Sequence, residues 1–408
     1  MSLLSKGMVT PRGTTNPVPS GKIPLSAYGD KPVHYTRLVD GGKLPAILLD
    51  GELYTESLDI MKKIVQEFET TTPGSREMMP RNRTQWDDLL ALEQQLQTAW
   101  FSLVFYPVEG DASVKARSNL FHMLKIVDRA LGESPGPWFL GGDAPSLLDI
   151  HFVTTMERLV ASCVYYKGLQ VRGKYSNLDK WWKAWENRPN YRASRCDFYT
   201  HAMAMPSQNG PGYFTKEAKK TADLICGLDG SWTLPLKSYP WEPIEHDDEI
   251  VSRHEAAFAL VSNPEAIVRF ACRGAGEVGT PSFHAELSDP YAEPNMDYVQ
   301  PVDVCLRYVA TALIYGNVDD VAATASPDLK GQAGNGELRP GWDAYKDGEG
   351  RTYYWNDFTG DTTWTAPTQQ LDTCIAYLRD RIGVPRDMSH PAAMQLRAHL
   401  NWMIDLLQ

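Results

Sequence analysis

The chain has 408 residues, which at about 150 residues per domain is enough for two or three domains and excludes a single small module. Its composition, 43% hydrophobic and 22% charged, is that of an ordinary globular chain, and no apolar run reaches the roughly 18 residues that a membrane-spanning helix needs. A net charge of -11 argues against a nucleic-acid partner, because binding phosphates requires clustered cations.

Residues 1–75 predict an N-terminal arm followed by a small α/β unit. Residues 33–38 and 44–49 are alternating or apolar runs on either side of the Asp40-Gly41-Gly42 turn, and they predict two short strands. Apolar residues then recur at helical spacing, which predicts a helix with one buried face. These residues are Ile60, Met61, Ile64, Val65 and Phe68.

The middle of the chain predicts an all-α domain over residues 76–205. Helical spacing of apolar residues is sustained there from Trp86 to about Tyr199. Residues 206–249 are polar and rich in proline, without a sustained period. We therefore expect a linker or an extended, packed crossing segment in that stretch.

The C-terminal half predicts a second helical domain with an insertion. Residues 250–337 and 369–408 both repeat apolar residues at positions i, i+4, i+7 and i+11, the spacing of core helices. The aromatic island between them, residues 338–368, is too short and too rich in turns to join that core. We expect it to form an inserted miniature β domain.

The first segment with chemical potential contains Leu44-Pro45 and Glu56-Ser57. A proline between two strands often adopts a cis bond, which would leave the backbone of Leu44 free to pair with an extended peptide. Ser57 begins the predicted helix, where its hydroxyl and the free N–H groups favour an anion. Taken alone, however, Ser57 is typical of a helix cap and Pro45 of a loop.

The second segment is structural in character. Ser146 and Asp149 have the spacing of a capping box, with Pro145 and Ile150 at the flanking hydrophobic positions. We assign it no catalytic role.

In this order and at this separation, the two segments resemble the glutathione transferase superfamily. The resemblance spans residues 28–199 and implies an incomplete thioredoxin-like α/β domain followed by an all-α domain. Residues 178–191, with three tryptophans, look like the closing helix of that second domain. Tyr28-Gly29-Asp30-Lys31 and the long helical extension look most like the iota class of photosynthetic organisms.

The resemblance implies a glutathione site. Leu44, beside Pro45, would hydrogen-bond the cysteinyl part of glutathione through its backbone. Glu56 and Ser57 would hold the γ-glutamyl amine and carboxylate.

The resemblance leaves the catalytic residue unknown. The family's catalytic Cys, Ser or Tyr would fall at or before Met1, and residues 1–27 contain neither cysteine nor tyrosine. Ser2 and Ser5 are the remaining candidates, and neither stands in the Cys-Pro-x-Cys context that the iota class leads one to expect.

The most specific motif lies in the aromatic island. Trp342 and Trp364 flank a Tyr353-Tyr354 pair, with turns at residues 347–350 and 358–360. Over its full length this island resembles a WW domain, a three-stranded antiparallel sheet that binds proline-rich peptides.

Strand alternation separates the aromatic residues of this island into two sets. Trp342, Tyr354 and Pro367 fall on one side and form the small core. Tyr353, Trp355, Thr362 and Trp364 fall on the other, as a slot for a polyproline II segment. Asp357 stands where the family usually has histidine, which weakens the expectation of Pro-Pro-x-Tyr recognition. The alternative is a WW fold used as a fixed clip, with its aromatic face packed on its own chain.

Two further features concern the compartment. The six cysteines are far apart and lack zinc-binding spacing, so we expect reduced thiols in an intracellular protein and no metal site. Residues 1–29 contain basic but no acidic residues and are rich in Ser, Thr, Pro and Gly, as organelle transit peptides are. Together with the iota resemblance, this favours a plastid.

The sequence thus predicts a glutathione-transferase-like protein without a visible catalytic residue. We expect it to bind a proline-rich protein segment or to act as a scaffold subunit of a plastid assembly. The alternative is an active glutathione transferase or a glutathione-dependent thiol reductase.

Overall fold

The computed structural model describes most of the chain. The described residues are 33–42, 44–71, 78–79, 83–228, 230–243, 248–279, 287, 289, 291–325, 338, 342–357, 360, 362–364 and 371–407. They fall into two compact units, a first made of Met1–Arg195 with Pro211–Lys220 and a second made of Cys196–Gly210 with Thr221–Gln408. None of the helices described combines the length and the apolarity that crossing a bilayer requires. Some predicted features lie outside the described residues: Ser2, Ser5, Tyr28-Gly29-Asp30-Lys31 and Pro367.

The described part of the first unit begins with a helix where a strand was predicted. Val33–Leu38 forms α1, and the amide of Val39 donates to the carbonyl of Tyr35 over 2.8 Å. Tyr35 and Val39 are both buried, four residues apart, which is the spacing of a helical face and not of a strand. The prediction of a strand at residues 33–38 was therefore wrong.

The second predicted strand is present and has an antiparallel partner. β1 (Ile47–Leu49) pairs with β2 (Glu52–Tyr54), and α2 (Ser57–Thr71) follows with Ile60 and Val65 buried. The described part of this region is a two-stranded sheet with one helix after it, and the thioredoxin-like fold stays a prediction.

The remaining helices of the first unit pack around a core of large apolar side chains. They are α3 (Arg83–Val104), α4 (Gly110–Leu131), α5 (Leu147–Lys167), α6 (Ser176–Glu186) and α7 (Pro189–Arg192). The predicted stripes are buried, among them Leu96, Trp100 and Leu124. The indole N–H of Trp100 donates to the hydroxyl of Ser162 over 2.7 Å, which satisfies the polar end of a side chain that is otherwise in apolar surroundings.

The capping box at the start of α5 is confirmed. The amide and the hydroxyl of Ser146 both donate to the Asp149 carboxylate, over 2.8 and 2.6 Å. That carboxylate also accepts from the amide of Phe139 and from the indole N–H of Trp181, over 3.1 and 2.9 Å. Asp149 thus fixes the start of α5 and joins it to the loop before it and to α6.

The described part of the second unit is mainly helical, with one small sheet. Its described helices are α8 (Phe198–Ala204), α9 (Pro206–Asn209), α10 (Lys219–Ile225, whose last five residues belong to this unit), α11 (Glu249–Val261), α12 (Pro264–Ala271), α13 (Val299–Tyr315), α14 (Val318–Thr324), α15 (Leu371–Asp380) and α16 (His390–Leu407). One hydrophobic core includes both predicted repeats, for example Val309 of α13 and Leu400 of α16. Residues 206–249 were expected to be a linker or a packed crossing segment, and their described part contains α9 and α10 and buries Trp232.

The small sheet lies between α14 and α15 in the sequence. It consists of β3 (Trp342–Lys346), β4 (Thr352–Asn356) and β5 (Thr362–Thr363), antiparallel in the order β3-β4-β5. Ala325, just after α14, and Leu371, at the start of α15, both belong to the same helical core. The chain therefore leaves the helical core before the sheet and belongs to it again after the sheet.

Candidate functional site

The first turn of the small sheet is organised by Asp347. Its carboxylate accepts from the amides of Glu349 and Arg351, over 3.0 and 2.8 Å, and its carbonyl accepts from the amide of Gly350, whose φ of +80° suits glycine. Desolvation alone would raise the pKa of Asp347, but the hydrogen bonds from Arg351 and the turn amides outweigh it and hold that pKa below its ordinary value.

The turn places Arg351 beside an aromatic ring. Its Nε lies 2.8 Å from Asp347 Oδ2, and its Nη2 lies 3.1 Å from Glu349 Oε2. The guanidinium carbon is 5.0 Å from the ring centroid of Trp364, a cation–π distance. The charge of Arg351 is thus neutralised by two carboxylates, and its guanidinium packs against the ring of Trp364.

The strand register assembles the predicted residues on one face. Tyr353 pairs with Tyr345, and Trp355 pairs with Asp343 on one side and Thr362 on the other. Directly paired residues project to the same side of a sheet, and residues two apart share a side. We call this surface the aromatic face, and its members are Tyr345, Tyr353, Trp355, Thr362 and Trp364.

Ring contacts tie the aromatic face together. The centroids of Tyr345 and Tyr353 are 5.8 Å apart with nearly parallel planes, and those of Tyr353 and Trp364 are 5.9 Å apart at 62°. The rings of Tyr353 and Trp364, which meet edge to face, are the two walls of the predicted slot. Tyr345 was missed in the sequence, because its place on this face follows only from pairing β3 with β4 through the turn at Asp347.

The aromatic face is open to solvent. Trp364 is 61% exposed, Tyr345 42% and Trp355 39%, although buried tryptophans are common elsewhere in the chain. A large ring in water gains free energy when a partner covers it. Within the described part of the chain, this argues against the alternative of a clip whose aromatic face is packed on its own chain.

The opposite side of the sheet carries the rest of the motif. Trp342 pairs with Asn356 and Ala344 with Tyr354, so the two aromatic residues predicted for the small core share this side. Both are half-buried, and Asn356 is fully buried. The slot residues and the core residues therefore occupy opposite sides, as alternation predicted.

Two acidic residues lie at the end of the aromatic face that is distant from Arg351. Asp343 is the direct partner of Trp355, and Asp357 lies two residues beyond Trp355. Their charges, that of Asp357 first, raise the pKa of the Tyr345 hydroxyl, so both carboxylates act on this surface.

The glutathione residues predicted in the first unit also come together. Leu44-Pro45 has the predicted cis peptide bond and precedes β1, while Glu56-Ser57 follows β2. Because Ile47 pairs with Tyr54, both dipeptides lie at the same end of the hairpin. Leu44, Glu56 and Ser57 are exposed there and Pro45 is half-buried.

The start of α2 differs in detail from a capped helix. The amide of Ile60 donates to the carbonyl of Glu56 over 2.9 Å, so Glu56 is the residue that precedes the helix and Ser57 is its first member. The start of α2, with its first amides and the exposed Ser57 hydroxyl, is therefore a position where an anion would be stabilised.

Comparison with known proteins identifies the small sheet. Residues 338–367 match the family model of the WW domain. The chain is also 30% identical over 153 residues to Protein IN2-1 homolog A from Oryza sativa subsp. japonica, an alignment that covers 37% of this chain and 59% of that protein. The chain thus spans about three fifths of the length of this curated relative. The inserted β domain is therefore a WW domain.

Proposed function

We propose that this chain is a protein-binding subunit whose WW domain binds a proline-rich segment of a partner protein. The observation that carries the proposal is the aromatic face, which presents Tyr353 and Trp364 as an open slot. WW domains bind proline-rich segments through aromatic grooves of this kind.

The geometry favours a polyproline II ligand. Such a segment is a preformed left-handed helix without internal hydrogen bonds, so it loses little conformational entropy on binding. Its proline rings are rigid and apolar and can pack against the rings of Tyr353 and Trp364.

Removing one wall of the slot tests the proposal. We expect a ten-residue proline peptide to bind the full-length chain and Trp364→Ala to weaken that binding at least tenfold, because aromatic anchors dominate interfaces of this size. Isothermal titration calorimetry measures both affinities.

The matched control is Phe258→Ala, which removes an aromatic ring that is 72% exposed on α11, outside the WW domain. This control should bind like the unaltered chain. Equal affinity of the Trp364→Ala variant and the control, or absence of binding to the unaltered chain, would contradict the proposal.

A second candidate function is glutathione binding by the first unit. It is favoured by the positions of Leu44-Pro45 and Glu56-Ser57, which lie at the same end of the hairpin. The cysteinyl backbone of the tripeptide would pair with Leu44, and its γ-glutamyl carboxylate would lie at the start of α2 near Ser57. A bound glutathione thiolate that attacked an electrophile or a mixed disulfide would make the chain an enzyme.

The loss of one hydroxyl tests this second function. Ser57→Ala should weaken glutathione binding about tenfold, which corresponds to one lost hydrogen bond to a charged group. Ser176→Ala, at the first position of α6 and also exposed, is the matched control and should have no effect. Calorimetry gives the affinities, and a panel of electrophiles with glutathione shows whether turnover accompanies binding. No heat at millimolar glutathione would contradict this function.

A further inference from the structure

We propose that the aromatic face selects proline-rich segments that carry an arginine or lysine, held by Asp343 and Asp357 beside Trp355. This inference rests on the proposed function, because it names the class of segment that the same slot takes. It concerns the ligand position next to the prolines, where side chains rather than backbone shape distinguish one segment from another.

The charges on the aromatic face are unevenly distributed. At one end, Arg351 is paired with both Asp347 and Glu349. At the other end, Asp343 and Asp357 form no ion pair within the described residues, and Asp357 is exposed. Lys346 alternates to the opposite side of the sheet. Among the residues that the structure describes, the unpaired charge on the aromatic face is therefore negative and lies at its Trp355 end.

Trp355 makes this end suitable for a cation. Trp355 is 39% exposed, and Asp343 is its direct partner on the neighbouring strand. A guanidinium above the Trp355 ring would therefore meet a π face and a carboxylate together. Arginine fits such a site better than lysine, because its planar group stacks and donates two hydrogen bonds in parallel. A glutamate at the same ligand position would face two like charges.

The spacing sets where the basic residue should stand. Tyr353 and Asp357 are four residues apart along β4 and its extension, about 13 Å at the rise of a strand. A polyproline II helix rises about 3.1 Å per residue. A basic residue about four positions from the proline pair in the slot therefore reaches the acidic end.

The test uses proline peptides that differ at one position. The peptides carry Arg, Ala or Glu four residues from a proline pair. Each of these three peptides is made in two versions, one with the variable residue before the pair and one with it after the pair. Calorimetry on the full-length chain at low salt should give an affinity for the Arg peptide about five- to tenfold higher than for the Ala peptide, and the weakest binding for the Glu peptide. The preference should shrink at high salt because exposed charges are screened.

Variants assign the preference to the two carboxylates. Asp357→Asn and Asp343→Asn should each reduce the ratio of Arg to Ala affinity. Asp303→Asn removes a carboxylate of α13 outside the WW domain and should leave the ratio as it is. Equal binding of all three peptides would overturn this inference while the proposed function stands. Binding of none would overturn both.

Discussion

Replacing Arg397 with Met should lower the free energy of unfolding of the second unit by about 3–5 kcal/mol. Arg397 is fully buried in α16, where its Nη1 donates to Asp197 Oδ2 over 2.5 Å and its Nη2 donates to the carbonyl of Ile382 over 2.7 Å. Its guanidinium also lies within 5.0 Å of the ring centroids of Tyr199 and Trp232. Without the guanidinium, the Asp197 carboxylate is left buried and unpaired, which is the costly part of the change.

Arg307→Met is the matched control for this variant. Arg307 Nε lies 2.7 Å from Asp303 Oδ2, so the pair is as close, but the arginine side chain is 76% exposed. Exposed pairs contribute little, and we expect a loss below about 0.5 kcal/mol. Hydrogen exchange at α16 measures the stability of the second unit separately from the first. Equal losses in the two variants would contradict the burial argument.

The same pair gives a pH dependence with a definite sign. Burial alone would raise the pKa of Asp197, but Arg397 and then His390 outweigh it and hold that pKa below its ordinary value. A lowered native pKa means that the ionised carboxylate stabilises the fold above about pH 4, and that this contribution is lost as the pH falls further. In Arg397→Met the unpaired carboxylate gains by protonation, so the deficit of the variant should shrink in acid.

Replacing Asp149 with Ala should destabilise the first unit by about 2–4 kcal/mol. The change removes the capping box of α5 and leaves the buried donors of Phe139 and Trp181 without their acceptor. Unsatisfied buried donors cost more than the loss of an exposed cap. Burial is also why the pKa of Asp149 is raised in spite of these donors.

Asp248→Ala is the matched control for the buried cap. Asp248 also caps a helix, α11, by accepting from the amides of Ile250 and Val251 over 2.8 and 3.3 Å, but it is exposed. Its loss should cost about 1 kcal/mol. Hydrogen exchange at α5 and at α11 measures the loss of stability in the two variants. A loss for Asp149→Ala no greater than that for Asp248→Ala would contradict the role given to burial.

Local patterns carried most of what the sequence could predict. Stripes at helical spacing identified the buried faces of α3, α4, α13 and α16, because such a face depends on residues only one or two turns apart. The capping box and the slot of the WW domain were predictable for the same reason. Each depends on a short motif whose geometry follows from a helix start or from strand alternation.

The features that were missed depend on distant contacts. Apolar and polar residues alternate in part over Val33–Leu38, which made this segment resemble a strand. The burial of Tyr35 and Val39, four residues apart, instead fits the helix α1. Asp197 and Arg397 are 200 positions apart, so no local sequence pattern predicts their ion pair. Tyr345 joins the aromatic face through cross-strand pairing, which depends on the register set at Asp347.

A titration of the ¹⁵N-labelled chain with a ten-residue proline peptide, followed through the tryptophan indole N–H signals, shows whether the aromatic face binds the peptide. Trp355 and Trp364 lie on the aromatic face, and Trp342 lies on the opposite side of the same sheet. Binding of the peptide by the aromatic face, as proposed, predicts that the signals of Trp355 and Trp364 shift together and saturate, while that of Trp342 moves much less. Unchanged Trp355 and Trp364 signals at millimolar peptide would contradict it.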